Sequence, residues 1–267
     1  MTSPIKTPET WKSEQYIRPI ELTTGGIRAW THLAALKRPD GTSCRGYVKH
    51  FPSNYTKALL NEWMGYTIMH RMGVPQPPAA IMPAPAQALP GAPLAWAFVS
   101  CQPSPTFDGT PAQLYDIRDP AKYAALIKRI FSCHALPLLI ACDQLLKNND
   151  RNLGNLVFTG KSSFVAIDHS DVFGGPSWEA KDTHFKQEWS RSKLIEDLMA
   201  IQTVPANIKS AIVASAELVA EAYIDAQREL ALALNSGAES DVKSALDMVW
   251  WRTLPIQEWF KEKFLMI

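Results

Sequence analysis

Short apolar runs broken by turn residues fill positions 15 to 51. Tyr16 to Leu22 is bounded by Thr23-Thr24-Gly25-Gly26, Ile27 to Leu36 by Pro39-Asp40-Gly41, and Arg45 to Phe51 by Pro52. Three strands are predicted, the second and third joined as a hairpin. The period then changes. Leu59, Leu60, Trp63, Met64, Ile68 and Met72 recur at helical spacing from about Tyr55 to Met72, and Gly73 with Pro75 ends the helix. Residues 73 to 93 are rich in proline and alanine and carry neither period. Ala95 to Ser100 reads as a buried strand, followed by the connector Gln102-Pro103-Ser104-Pro105.

The rest of the chain is patterned as helices. Asp119 is an expected N-cap with Pro120 at the first helical position, and Leu126, Ile127, Ile130 and Phe131 form an apolar stripe. Pro137 begins a second apolar helix leading towards Asp150. Segments near 190–201, 207–235, 239–251 and 255–265 also read as helices. In the second of these, Ile208, Ile212, Val219, Tyr223, Ala226, Leu230 and Leu234 make one packing face. Trp250, Trp251 and Trp259 are expected core or interface anchors. The pattern predicts an α+β protein of two lobes. Residues 1–101 would form a small antiparallel-sheet lobe with one helix, and residues 102–267 a larger, mostly helical lobe.

Composition narrows the function classes. With 46% hydrophobic residues in 267 positions the chain can bury a large core. A net charge of +1 supplies no field favouring nucleic acid or an anionic membrane. Cys44, Cys101, Cys133 and Cys142 form no zinc-spaced cluster and are expected as reduced thiols, and the histidines show no His-Glu-x-x-His motif. The residues after Met1 show no secretory pattern, and the apolar stretch Ala135 to Cys142 is too short to span a bilayer. A cytoplasmic location without membrane contact is expected.

The candidate chemistry lies in Asn148-Asn149-Asp150-Arg151-Asn152-Leu153-Gly154-Asn155 and in Asp168, which follows the apolar run Phe164 to Ile167. Asn155 follows Asp150 by five positions and Asp168 follows Asn155 by thirteen. These intervals match those between the catalytic Asp, the catalytic-loop Asn and the metal-binding Asp of protein kinases. Phosphoryl transfer requires a group to orient the attacking hydroxyl and hard oxygen ligands for the divalent cation. Asp150 fits the first role, and Asn155 and Asp168 fit the second as magnesium ligands. Singly, each residue also reads as ordinary turn chemistry. Their joint spacing carries the inference.

That reading demands a strand lysine for the nucleotide phosphates and a helix glutamate to hold it. Lys49 and Glu62 occupy those places. Thr23, Thr24, Gly25 and Gly26 are candidates to cover phosphates, though a plain hairpin turn explains them equally. Ser100 and Cys101 are candidates by position for presenting backbone groups to adenine.

Asn148, Asp150, Arg151 and Asn155, with Ile167-Asp168-His169, Tyr47-Val48-Lys49 and Glu62, resemble the HipA-like kinases over roughly residues 20 to 175. The resemblance implies a two-lobed protein-kinase-like fold and a serine/threonine kinase using ATP and magnesium. It further implies a protein hydroxyl acceptor, a toxin-type role and an antitoxin or regulatory partner. Asn152 stands where that loop often has histidine, His169-Ser170 replaces Phe-Gly after the metal aspartate, and the length implies no extra amino-terminal subdomain. Two alternatives stay open: a small-molecule kinase of aminoglycoside-phosphotransferase type, and a pseudokinase or nucleotide-binding interaction module.

Overall fold

A sheet of six strands and a helical body enclose helix α1 between them. In the computed structural model the described residues are 5–22, 29–84, 96–103, 119–179, 189–199, 203–234 and 239–264. The strands are β1 (Glu9–Thr10), β2 (Tyr16–Leu22), β3 (Trp30–Lys37), β4 (Ser43–His50), β5 (Ala79–Pro83) and β6 (Trp96–Cys101), and α1 spans Ala58–Arg71. The sheet order is β1-β5-β6-β4-β3-β2, antiparallel except for the short parallel pairing of β1 with β5. Register across β3 and β4 is unbroken from Trp30↔His50 to Lys37↔Ser43. At the connecting turn, Asp40 accepts hydrogen bonds from the Thr42 amide at 2.8 Å and the Thr42 hydroxyl at 2.6 Å.

Alternation sorts the two faces of this sheet. Ala34, Leu36, Val48, Ala80, Met82, Ala97, Val99 and Cys101 pack with Trp11 and Tyr16 on one side. On the other, Phe98 and Ala79 pack against Tyr66 of α1. Val48 belongs to the first face, so its neighbour Lys49 points towards α1. Met64, Ile68, Met69 and Met72 of α1 enter the larger core of the helical body. Because α1 is covered on both sides, it is buried nearly all round, the polar Asn61, Glu62 and Thr67 included. It ends in a Schellman motif: Gly73 at φ +87° lets its N–H reach His70 O at 3.1 Å and the Val74 N–H reach Met69 O at 3.0 Å.

The helical body contains α2 (Pro120–Phe131), α3 (Leu136–Leu145), the hairpin β7 (Leu156–Gly160) with β8 (Ser163–Ala166), α4 (Lys193–Met199), α5 (Ala206–Ala233), α6 (Glu239–Thr253) and α7 (Ile256–Phe264). Asp119 caps α2 by accepting the Lys122 N–H at 3.1 Å. The buried Arg252 donates to the carbonyls of Gln144 and Leu145, tying off the C-terminal end of α3 just before the loop that carries Asp150. Trp250 and Trp259 pack against the core, while Trp251 is 40% exposed. Among the described residues, no single helix is long and apolar enough to cross a membrane.

Sequence reading missed three strands. β5 lies in the stretch read as featureless, where Ala-Ala-Ile-Met-Pro is too short and too small in side chain to show a period; pairing with β6 defines it. β1 is two residues long, and β7 was hidden behind the polar cluster that precedes it.

Candidate active site

Lys49 stands on β4, an interior strand of the sheet, with its side chain directed at α1. Its Nζ lies 2.7 Å from Glu62 Oε1 and 3.1 Å from Asp168 Oδ1. Glu62 is fully buried and bridges further, its Oε2 accepting the His169 N–H at 2.9 Å. One carboxylate thus joins the sheet to the loop carrying Asp168. Burial opposes the charge of Lys49, but Asp168 and Glu62 beside it hold its pKa above the ordinary value. For Glu62 burial dominates and raises the pKa, with Lys49 offsetting part of that. Burial works against ionised Asp168 too, yet Lys49 and the Ser170 hydroxyl at 2.9 Å hold its carboxyl well below the carboxylate range. The Asp168 side chain remains 38% exposed, leaving carboxylate lone pairs open to the cleft.

The backbone at Asp168 is held in an uncommon state, with φ +66°. Aspartate tolerates this region better than most residues, and the surroundings fix it. Arg151 donates through Nη1 to the carbonyls of Ile167 and, at 3.0 Å, Asp168. Its Nη2 lies 3.1 Å from His169 Nδ1, and since a guanidinium can only donate, that ring nitrogen is the acceptor. Burial, then the Arg151 charge, keeps the His169 ring neutral. Helix α1 approaches this turn very closely: a Cβ on Gly65 would lie 2.6 Å from His169 Cβ. Only glycine fits there without displacing the turn.

The loop carrying Asp150 and Asn155 is bonded to the same turn. Asp143, on α3, receives Arg151 Nε at 3.0 Å and Asn148 Nδ2 at 2.8 Å, and Asn148 Oδ1 accepts the Asp150 N–H at 3.2 Å. The Ile167 N–H donates to the Asn155 carbonyl at 2.9 Å, placing Asn155 one backbone step from Asp168. Asn155 Oδ1 accepts the Asn152 N–H at 2.9 Å, which leaves that oxygen a second lone pair. The donor set of one carboxylate and one amide oxygen suits a hard cation such as magnesium, which takes its remaining ligands from phosphate and water. Asp150 is half-exposed and pairs with Lys193 Nζ at 3.2 Å.

Residues that local spacing could not reveal complete the site. Asn61, fully buried beside Glu62, donates through Nδ2 to the carbonyls of Ser170, Val172 and Gly175 at 2.8, 3.0 and 2.9 Å. Its Oδ1 accepts Trp178 Nε1 at 2.9 Å, so α1 carries the whole segment after Asp168. Asp143 had one visible signal, a charge inside the apolar helix Leu136–Leu145; Asn61 and Lys193 had none.

Two further groups of candidates remain. Thr23, Thr24, Gly25 and Gly26 lie outside the described residues. Ser100 and Cys101 end β6, and there the Cys101 N–H donates to Pro78 O at 2.9 Å and the Gln102 N–H to Arg45 O at 2.7 Å. Those two donors are engaged inside the sheet.

No protein-family model matches the chain, and a search of curated proteins gives no match. Among solved structures the fold is similar to the crystal structure of a Helicobacter pylori proinflammatory kinase, CtkA. That match has 14% sequence identity and a TM-score of 0.50, and it covers 92% of this chain and 93% of that chain. The likeness shows the fold: a small sheet lobe and a larger helical part arranged as in kinases. Function has to be argued from the site.

Proposed function

We propose that this chain is a kinase that transfers the γ-phosphoryl group of ATP to a hydroxyl, with magnesium, and that a protein serine or threonine is the acceptor. The observation that carries the reading is Lys49 held between Glu62 at 2.7 Å and Asp168 at 3.1 Å, the loop of Asp168 being bonded to the one that bears Asp150. A lysine–glutamate pair between strand and helix, together with a metal aspartate, is the arrangement kinases need in place before transfer.

The roles follow from chemistry. Lys49 meets the α- and β-phosphates and exchanges part of its contact with Asp168 for phosphate oxygen, while Glu62 keeps it aimed. Asp168 and Asn155 would hold magnesium, which when bound neutralises phosphate charge. Asp150 orients the acceptor hydroxyl and receives its proton late in the transfer. The set is assembled through buried contacts, so little reorganisation is required at the moment of reaction. The engaged N–H groups of Cys101 and Gln102 leave adenine to be read by other groups at the end of β6.

The finer reading comes from the sequence: lobes of residues 1–101 and 102–267 and a cytoplasmic location from the pattern of the chain, and a toxin-type kinase with an antitoxin or regulatory partner from the HipA-like resemblance. Incubation with [γ-32P]ATP and magnesium, alone and with candidate acceptor proteins, tests the activity. Label on protein that disappears in both Asp150→Ala and Asp168→Ala supports the proposal. Label that persists in both variants rejects it.

A further inference from the structure

Phosphoryl transfer gathers negative charge on the group in transit as well as on the nucleotide left behind. Among the described residues, Arg151, Lys49 and Lys193 each hold a residue of one or both loops of the site. Arg151 is adjacent to Asp150 in sequence but is 1% exposed, and its donors are engaged by Asp143, by the Ile167 and Asp168 carbonyls and by His169. Lys49 is held between Glu62 and Asp168 on the nucleotide side. Lys193 is the third. Its Nζ lies 3.2 Å from Asp150 Oδ1, and the two side chains are 46% and 45% exposed.

The backbone beneath Lys193 is firmly seated. Leu194, Ile195 and Leu198 of α4 are buried in the main core. Just upstream, Ser190 Oγ accepts Arg252 Nη2 at 2.9 Å, and the Trp189 ring meets Phe260 edge-on at 5.0 Å. A half-exposed ion pair contributes little to folding stability. The arrangement instead brings a half-exposed ammonium on a well-packed helix to the carboxylate assigned to the acceptor.

We propose that Lys193 is a catalytic residue that supplies positive charge to the phosphoryl group in transit beside Asp150; this rests on the kinase reading above. In the step it serves, the acceptor oxygen bonds to the γ-phosphorus and the bond from that phosphorus to the β,γ-bridging oxygen breaks. ADP leaves with that bond's electron pair, and the acceptor proton passes to Asp150. Lys193 keeps its three protons throughout and contributes charge alone.

The test uses the full chain with Lys193→Gln and Lys193→Arg, whose exposed position keeps folding out of the comparison. Transfer of label from [γ-32P]ATP to water or to the chain itself reports turnover, and calorimetry with MgADP reports diphosphate binding. The expected result is a fall in turnover of roughly 10- to 100-fold in Lys193→Gln, partial recovery in Lys193→Arg, and MgADP affinity within about twofold of the parent. Unchanged turnover would reduce Lys193 to a surface ion pair, and increased turnover would make it a mask over Asp150. A parallel loss of MgADP affinity would place it on the diphosphate; each of these overturns the proposal. If the parent chain itself transfers no label, the kinase reading fails and Lys193 has no reaction to serve.

Discussion

The guanidinium of Arg151 and the carboxylate of Asp143 form an ion pair inside the protein, with Nε 3.0 Å from Oδ2 and side chains 0% and 2% exposed. This pair links α3 to both loops of the site, because Arg151 also holds the carbonyls of Ile167 and Asp168, which flank the Asp168 Cα. Replacing Asp143 by Ala leaves a buried cation uncompensated and is expected to lower unfolding free energy by about 3–5 kcal/mol. Urea denaturation measures the loss. Phosphoryl transfer should fall further than the unfolded fraction explains, since the Asp168 turn loses its anchor.

Lys49 and Glu62 allow a cleaner separation of folding from function. Lys49→Met alone strands a buried carboxylate and should be strongly destabilising, by about 3–5 kcal/mol. Adding Glu62→Leu removes the stranded charge and should recover part of that stability, the buried His169 N–H losing its acceptor, without recovering activity. Thermal denaturation beside a turnover assay checks both halves. Recovery of turnover in the double variant would contradict the role given to Lys49.

Gly65 sets how closely α1 meets the Asp168 turn. Gly65→Ala would force its Cβ, otherwise 2.6 Å from His169 Cβ, to push the helix and turn apart. A destabilisation of roughly 1–3 kcal/mol is expected, with a higher magnesium concentration needed for half-maximal turnover. A magnesium titration of turnover in the parent and the variant reads the second effect.

These residues show which parts of the fold and site the sequence made legible. Strands β2 to β4, the stop at Gly73 and the Asp119 cap are local, governed by period, turn chemistry and capping within a few positions. Lys49, Glu62, Asp150, Asn155 and Asp168 could be picked out because the order of elements dictates their spacing. Asn61 acts through contacts 109 to 117 positions away, which no local pattern encodes, and Asp143 shows only as a charge inside an apolar helix. The edge strand β1 and its neighbour β5 are defined by their partners in the sheet, and their own composition is uninformative.

Acid should destabilise the protein through its buried histidines. His50 stacks on His32 with ring centroids 5.7 Å apart, Tyr16 Oη lies 2.9 Å from His32 Nε2, and both His50 ring nitrogens are buried without a hydrogen-bond partner. Burial, then His32, lowers the His50 pKa to about 4 from 6.5. The unfolded chain therefore binds this proton more readily. The contribution is fully present above pH 6.5 and is lost as pH falls through about 4. The loss should be on the order of 3 kcal/mol. Urea titrations at pH 7.5 and pH 4.5 should show His50→Phe losing less stability on acidification than the parent.

The most direct measurement of the central claim is ATP binding by calorimetry, with and without magnesium, in the parent chain, Asp168→Ala and Asp150→Ala. If Asp168 helps hold a cation that Lys49-bound phosphates share, magnesium should tighten ATP binding to the parent and to Asp150→Ala but not to Asp168→Ala. Equal affinity with and without magnesium in the parent, or no ATP binding at millimolar concentration, would contradict the account.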